Sequence, residues 1–138
     1  YAKLNRDDRS QFWVGLLSVV AQQESNFKPE TMYTEQFKDR QGQQVVSRGL
    51  LQLSIESANQ PRYACEIKRA EDLHDPAINL ECGVKILDAW VRADKTIAGK
   101  HDAPNRGGGR YWSTLRPSNK NLGRLQTFTR GLRVCQGL

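Results

Sequence analysis

No apolar run in this chain approaches the roughly 18 residues that a membrane span requires, so integral membrane association is not expected. The cysteines, Cys65, Cys82 and Cys135, have no CxxC spacing and no histidine at a zinc-ligand interval, which argues against a structural metal site. His74 and His101 are isolated, with no HExxH and no cysteine-histidine pairing to support metal or nucleophilic chemistry. The glycine-rich RGGGR of residues 106–110 lacks the Gly-Lys-Ser/Thr ending of a phosphate loop and follows no readable strand. No internal repeat and no strand-rich region is visible. The chain opens at Tyr1 without a basic and apolar leader, so an export signal is expected to have been removed already. Neither a metal nor a cofactor is indicated.

What is present describes a globular protein. The 138 residues are most simply one domain, large enough to bury a core of its own. An apolar fraction of 38% with 26% charged residues separates the chain from disordered sequences. Twenty-one Lys and Arg against 15 Asp and Glu leave a net charge of +6. Such a surplus favours an anionic partner: nucleic acid, an anionic membrane or a carboxylate-bearing polymer. The basic residues are scattered rather than blocked, which equally fits a surface that is merely soluble. Cys65 and Cys82 are the best disulfide pair, closing a loop worth about 3 kcal/mol in an oxidising compartment. Three buried reduced cysteines are the alternative.

Residues 10–25, SQFWVGLLSVVAQQES, read as a helix with Ser10 as N-cap and Trp13, Leu16, Leu17, Val20 and Ala21 on its apolar face. From Asn26 to Arg48 the periodicity disappears, and a long polar excursion with one short hairpin around Gly42 is expected. Ser54 is placed to cap a short helix ending near Asn59. Asp75 and Pro76 supply the cap and first-position proline of a second long helix, with Leu80, Val84, Leu87 and Val91 recurring at helical spacing, joined by Ile86 and Trp90. RYWSTLR, residues 110–116, reads as another short helix halted by Pro117, and a last helix is expected near 121–130. The fold class is therefore mainly α, a single domain of packed helices with one small hairpin within 30–48.

Glu24 lies at the end of the first helix on the side of Ala21, Val20, Leu17 and Leu16. Burial against those neighbours disfavours its ionised form, and a site in the last helical turn adds an unfavourable dipole for negative charge. A carboxyl kept protonated near neutrality is what general-acid cleavage of a glycosidic bond needs, because the leaving oxygen is too basic to depart alone. A glutamate at a frayed helix end, turned into solvent, is the plainer alternative.

Three motifs follow in order: ESNFKP at 24–29, SRGLLQL at 47–53 and DPAINLECGVKIL at 75–87. Together they resemble the soluble lytic transglycosylase and goose-type lysozyme superfamily, glycoside hydrolase family 23, with its Glu-Ser, Gly-Leu-Met-Gln and Asn-Ile/Leu-x-x-Gly signatures. The resemblance spans roughly residues 10–116 and implies a lysozyme-like fold. It places Glu24 at the family's catalytic acid and Ser25 at the serine beside it. Gly49, Leu50, Leu51 and Gln52 fall on the segment that lines the cleft, with Gln52 as the polar contact to sugar and Leu51 in place of methionine. Asn79 and Gly83 fall on the third signature and read as structural, the glycine letting its helix pack near the catalytic one. The family's Ala-Tyr-Asn-Ala-Gly motif has RYWSTLR as its nearest counterpart. Tyr111 then stands for the tyrosine that reaches the catalytic glutamate, while Trp112 and Thr114 replace the asparagine and glycine.

The implied substrate is the peptidoglycan glycan strand, cut between N-acetylmuramic acid and N-acetylglucosamine by a monomeric, exported enzyme, periplasmic or secreted. Its lactyl and peptide carboxylates suit the basic surplus. In the transglycosylase route the sugar's own 6-hydroxyl attacks and leaves a 1,6-anhydro end. In the lysozyme route water attacks with the help of a second carboxylate. Glu35 and Asp39 are the candidates for that carboxylate, since goose-type lysozymes carry a supporting aspartate in this region. The reading leans slightly to the transglycosylase. The reading of another class is a noncatalytic basic module for cell-wall polymer or nucleic acid. Scattered basic residues argue against nucleic acid, and the retained Glu24 argues against a decayed enzyme.

Overall fold

A computed structural model describes residues 1–136. Helix α1 runs over Arg6–Ser25, beginning four residues before the expected start. Its cap is Asn5, whose side-chain oxygen accepts the Asp8 N–H at 2.9 Å. Asp7 and Asp8 in the first turn complement the helix dipole there. Ser10 is therefore not the cap: it lies inside the helix, its hydroxyl donating back to the Arg6 carbonyl. The helix closes at Asn26, which takes the left-handed conformation (φ 51°) and returns its N–H to the Gln22 carbonyl.

The hairpin expected around Gly42 is present, and it occupies more of the polar excursion than the sequence reading allotted. Strand β1 (Met32–Lys38) pairs antiparallel with β2 (Gln44–Arg48), Met32 opposite Arg48 and Lys38 opposite Gln44, with an irregularity between Thr34 and Lys38. Asp39 organises the turn, its carboxylate accepting the N–H groups of Gln41 (2.9 Å) and Gln43 (2.8 Å). Helix α2 (Ile55–Ala58) is capped by Ser54, as expected.

Helix α3 covers Pro76–Asp94, with Asp75 Oδ1 accepting the N–H groups of Ala77 and Ile78. Its buried face is Asn79, Cys82, Gly83, Ile86 and Leu87, whereas Val84 is 47% exposed. Ile86 and Leu87 of the stripe inferred from periodicity are thus buried, while its Val84 edge turns outward and Asn79, Cys82 and Gly83 turn inward. Asn79 and Cys82 hold the helix by a hydrogen-bond cluster and a disulfide, and neither counts as a hydrophobe in a periodicity argument. Gly83 packs against Leu51, which a Cβ would strike, rather than against α1.

Arg110–Arg116 is not a helix. Two 3-10 turns, Gly107–Arg110 and Ser113–Leu115, are separated by an extended Trp112 whose indole donates to the Leu51 carbonyl at 2.8 Å. The RGGGR segment is their packed foundation: a Cβ on Gly108 would collide with Leu115, itself wholly buried. Asp94, only 2% exposed in its side chain, ties this segment to α3 through Arg106, Arg110 and the Gly107 N–H. The last helix, α4, spans Asn121–Arg130 as expected.

One core joins these parts. Leu16 and Val20 of α1 meet Leu51 and Leu53 after the hairpin, Ile86 and Leu87 of α3, and Leu115, Leu122 and Leu125 near the C-terminus. Cys65 and Cys82 are bonded, with sulfurs 2.05 Å apart, while Cys135 is free.

Asn79 has no exposed surface. Its amide nitrogen donates to the carbonyls of Arg48 (3.0 Å) and Leu73 (2.8 Å), and its oxygen accepts the Leu51 N–H at 2.9 Å. Removing it strands the Leu51 N–H and the Leu73 carbonyl where water reaches poorly, each worth about 1 to 3 kcal/mol, while the Arg48 carbonyl keeps the Leu53 N–H at 3.0 Å. Asn79→Ala is therefore expected to destabilise the protein by at least about 2 kcal/mol in urea unfolding, far more than Val84→Ala on the exposed side of the same helix.

Candidate active site

A groove of about 760 Å³ runs past the C-terminal end of α1. The hairpin contributes Met32, Tyr33, Glu35 and Phe37 to its lining, and Gln52 and Ser54 follow from the next segment. Tyr63, Trp90, Arg110, Tyr111, Trp112 and Arg116 also line it.

Glu24 lines this groove from the last turn of α1 and is partly buried. The Thr114 hydroxyl donates to its Oε1 at 2.9 Å. Burial is the main cause that raises its pKa above the ordinary 4.5, and the negative charge of Glu35 raises it further, while the Thr114 hydrogen bond pulls the other way. The net effect favours the protonated acid.

Glu35, the half-buried member of an otherwise exposed β1, also lines the groove, between Tyr33 and Phe37 two residues to either side. Ser47, across the hairpin on β2, donates its hydroxyl to Glu35 Oε1 at 2.6 Å. Of the two candidates for a second carboxylate, the structure thus brings Glu35 into the groove with Glu24. Asp39 it places at the hairpin tip, outside the groove lining, with its carboxylate engaged by the turn's own backbone.

Most of the other expected contacts support the groove from behind. Ser25 is buried, its hydroxyl shared between the carbonyls of Ala21 (3.0 Å) and Leu50 (2.9 Å). Gly49 adopts φ +77°, and a Cβ there would fall on the Leu73 carbonyl and the Asn79 amide. Leu51 is fully buried, and Leu50 packs against the core while its carbonyl holds Ser25. None of these four lines the groove, so a cleft-lining place for them is corrected to a supporting one. Gln52 does line it. Its amide nitrogen donates to Thr31 and Gly49 carbonyls, at 3.1 and 2.9 Å, which fixes the side chain in place.

Tyr111 lines the groove but does not reach Glu24. Its hydroxyl accepts the Ser54 N–H at 3.4 Å, its ring packs on Trp112 and Tyr63, and burial holds its pKa well above the usual phenol range. The hydroxyl that reaches the glutamate belongs to Thr114, three residues on. Sequence reading took Thr114 only as a departure from a motif glycine. A hydroxyl at a motif position held by glycine is the signal that points to it. Tyr33, Phe37 and Trp90, also in the groove, carry no spacing that singles them out.

The transglycosylase SLT domain model matches residues 4–123. The chain belongs to that family. Its members are peptidoglycan lytic transglycosylases, enzymes that cleave glycosidic bonds. Among solved structures, the wild-type form 2 of Bd0314 DslA is 46% identical with a TM-score of 0.91, the match covering 99% of this chain and 74% of that one. Two single glutamate-to-glutamine mutants of Bd0314 DslA match at 45% identity with the same TM-score and coverage. No curated protein sequence matches significantly. No helix among the described residues is long and apolar enough to cross a membrane.

The raised pKa of Glu24 carries a stability cost. A carboxyl that holds its proton more tightly when folded contributes stability that is complete below its unfolded pKa, near 4.5, and is lost as pH rises through the higher folded value. Glu24→Gln keeps the shape and the Thr114 contact without the charge. It is expected to melt above the wild type at about pH 7, with the gap closing towards about pH 4. Thermal melts at both pH values check this, and a gap independent of pH would contradict it.

Proposed function

We propose that this protein cleaves the β-1,4 bond between N-acetylmuramic acid and N-acetylglucosamine in peptidoglycan strands, with Glu24 as general acid and then base. The observation that carries the reading is a partly buried carboxyl of raised pKa, held by Thr114 and opening on the main groove of an SLT-family chain. Glu24 delivers its proton to the leaving glycosidic oxygen as the bond breaks, and the muramic acid acetamido group stabilises the sugar cation. The Glu24 carboxylate then takes the proton of the sugar's 6-hydroxyl as that oxygen attacks, leaving a 1,6-anhydro end. Gln52 and Tyr111 are the sugar-contacting residues of this reading, since both line the groove.

A second reading, hydrolysis, is favoured by the place of Glu35. Here Glu35 positions the attacking water and takes its proton, and the product has a reducing end. Glu35 lies in the groove near enough for its charge to act on Glu24. The two mutated glutamates of Bd0314 DslA are eleven positions apart in that protein. Glu24 and Glu35 are also eleven apart, which supports treating them as a functional pair.

The enzyme is read as a single-domain, monomeric protein exported to the periplasm or beyond the cell, where its substrate lies. The Cys65–Cys82 disulfide suits an oxidising compartment. A net charge of +6 suits a polymer bearing lactyl and peptide carboxylates.

Glu24→Gln is expected to lower the release of soluble fragments from purified sacculi by at least about a hundredfold. Undiminished release would sink the assignment. Mass spectrometry of the wild-type products separates the branches: anhydro ends support transglycosylation, and reducing ends that vanish in Glu35→Gln support hydrolysis.

A further inference from the structure

Thr114 is 5% exposed and has one side-chain hydrogen bond, the 2.9 Å donation to Glu24 Oε1. A threonine hydroxyl carries a single proton to donate. No other hydrogen bond to the Glu24 carboxyl is formed among the described residues, and no buried side-chain oxygen among them is without a partner. Glu24 Oε2, which has no protein partner, is therefore open to the groove. The two carboxyl oxygens are thus chemically distinct before substrate arrives.

The turn that carries Thr114 is built to hold that distinction. Trp112, two residues before it, is pinned at both ends, its backbone N–H on the Gly108 carbonyl (2.8 Å) and its indole on the Leu51 carbonyl (2.8 Å). Leu115, immediately after it, is wholly buried, and its carbonyl accepts the Gly99 N–H at 2.9 Å. Between two such anchors the threonine has little freedom to leave the carboxyl.

Resting on the reading of Glu24 as general acid, we infer that Thr114 is the positioning residue of this enzyme: its hydroxyl occupies Oε1, so that the transferable proton resides on Oε2, facing the glycosidic oxygen. Tyr111 makes no hydrogen bond to Glu24, and its hydroxyl accepts the Ser54 N–H instead. The proton shuttle involves Oε2 alone, out to the leaving oxygen and, in the transglycosylase route, back from the attacking 6-hydroxyl, while the Thr114 proton stays on Thr114 throughout. The hydrogen bond also stabilises the Glu24 carboxylate formed between those two transfers. Its loss therefore raises the affinity of Glu24 for its proton as well as loosening its aim.

The test compares Thr114→Val, which keeps shape and removes the donor, with Thr114→Ser, which keeps the donor and removes the methyl. Rates of fragment release from sacculi across pH are measured for each, beside Glu24→Gln as a control. Carbon-13 titration of the Glu24 carboxyl supplies a readout independent of turnover. Thr114→Val is expected to lose about tenfold in kcat with KM within about twofold, to move the basic limb of the rate profile to higher pH, and to titrate Glu24 at higher pH. Thr114→Ser is expected to restore the limb and most of the rate. An unmoved limb and titration in Thr114→Val, or no rescue by serine, would overturn the positioning role while an inactive Glu24→Gln leaves the general-acid reading standing. An active Glu24→Gln would remove both. Thermal melts accompany each variant, and the carboxyl titration decides the matter if the valine variant is less stable.

Discussion

The architecture depends on one amide. Asn79 reaches from the first turns of α3 to the Arg48 and Leu73 carbonyls and the Leu51 N–H, so one buried side chain fastens three otherwise separate pieces of backbone. The segment after the hairpin closes on itself through the paired backbone groups of Arg48 and Leu53, and without the Asn79 bonds its Leu51 N–H would lie unpaired in the core. With them, Gly49 and Gln52 are held in left-handed conformations that a free chain would seldom visit together. That bend carries Leu51 inward, where Trp112 and Gly83 meet it, and leaves Gln52 in the groove.

The groove follows from this frame. α1 delivers Glu24 at its C-terminal end because the helix stops at a left-handed Asn26. The packed glycines before Tyr111 bring Thr114 back to the same place from residues far along the chain. Two glutamates then share a groove whose other ionisable lining groups include Arg110 and Arg116. Arg110 stays engaged with Asp94 and lies 4.6 Å from the centre of the Trp90 ring, and Arg116 donates to the Gly109 carbonyl. The cations thus brace the groove while the carboxyl groups remain available for chemistry.

Much of this was legible because its signals are local. Asp75-Pro76 marks a helix start through cap chemistry alone, Ser54 does the same for α2, and Gly42 marks a turn through its backbone freedom (φ +79°). Glu24 stood out because a carboxylate on an apolar helix end is a local contradiction. Where tertiary contacts override local preference, the reading failed: α3 turns a polar asparagine and a cysteine inward, and RYWSTLR breaks into two 3-10 turns around a tryptophan that bonds to a distant carbonyl. Thr114 was missed for the same reason. Its importance lies in a partner 90 residues away, a separation over which periodicity carries no information. The supporting roles of Ser25, Gly49 and Leu51 show a related limit, since a motif marks where matter is constrained and not whether the constraint faces solvent.

The hairpin has a consequence of another kind. β1 is exposed along almost its whole length, with Met32, Tyr33 and Phe37 each more than half open to solvent, and Val45 and Ser47 are the two buried residues of β2. A two-stranded ribbon with so little buried apolar surface has marginal stability of its own, so it opens at a free energy well below that of global unfolding. One wall of the groove is therefore soft while the wall carrying Glu24 is anchored in the core. In the proposed reaction a glycan strand lying against Tyr33 and Phe37 would order that wall at a cost in conformational entropy. Part of the binding free energy of such a strand would then go into fixing where Glu35 stands.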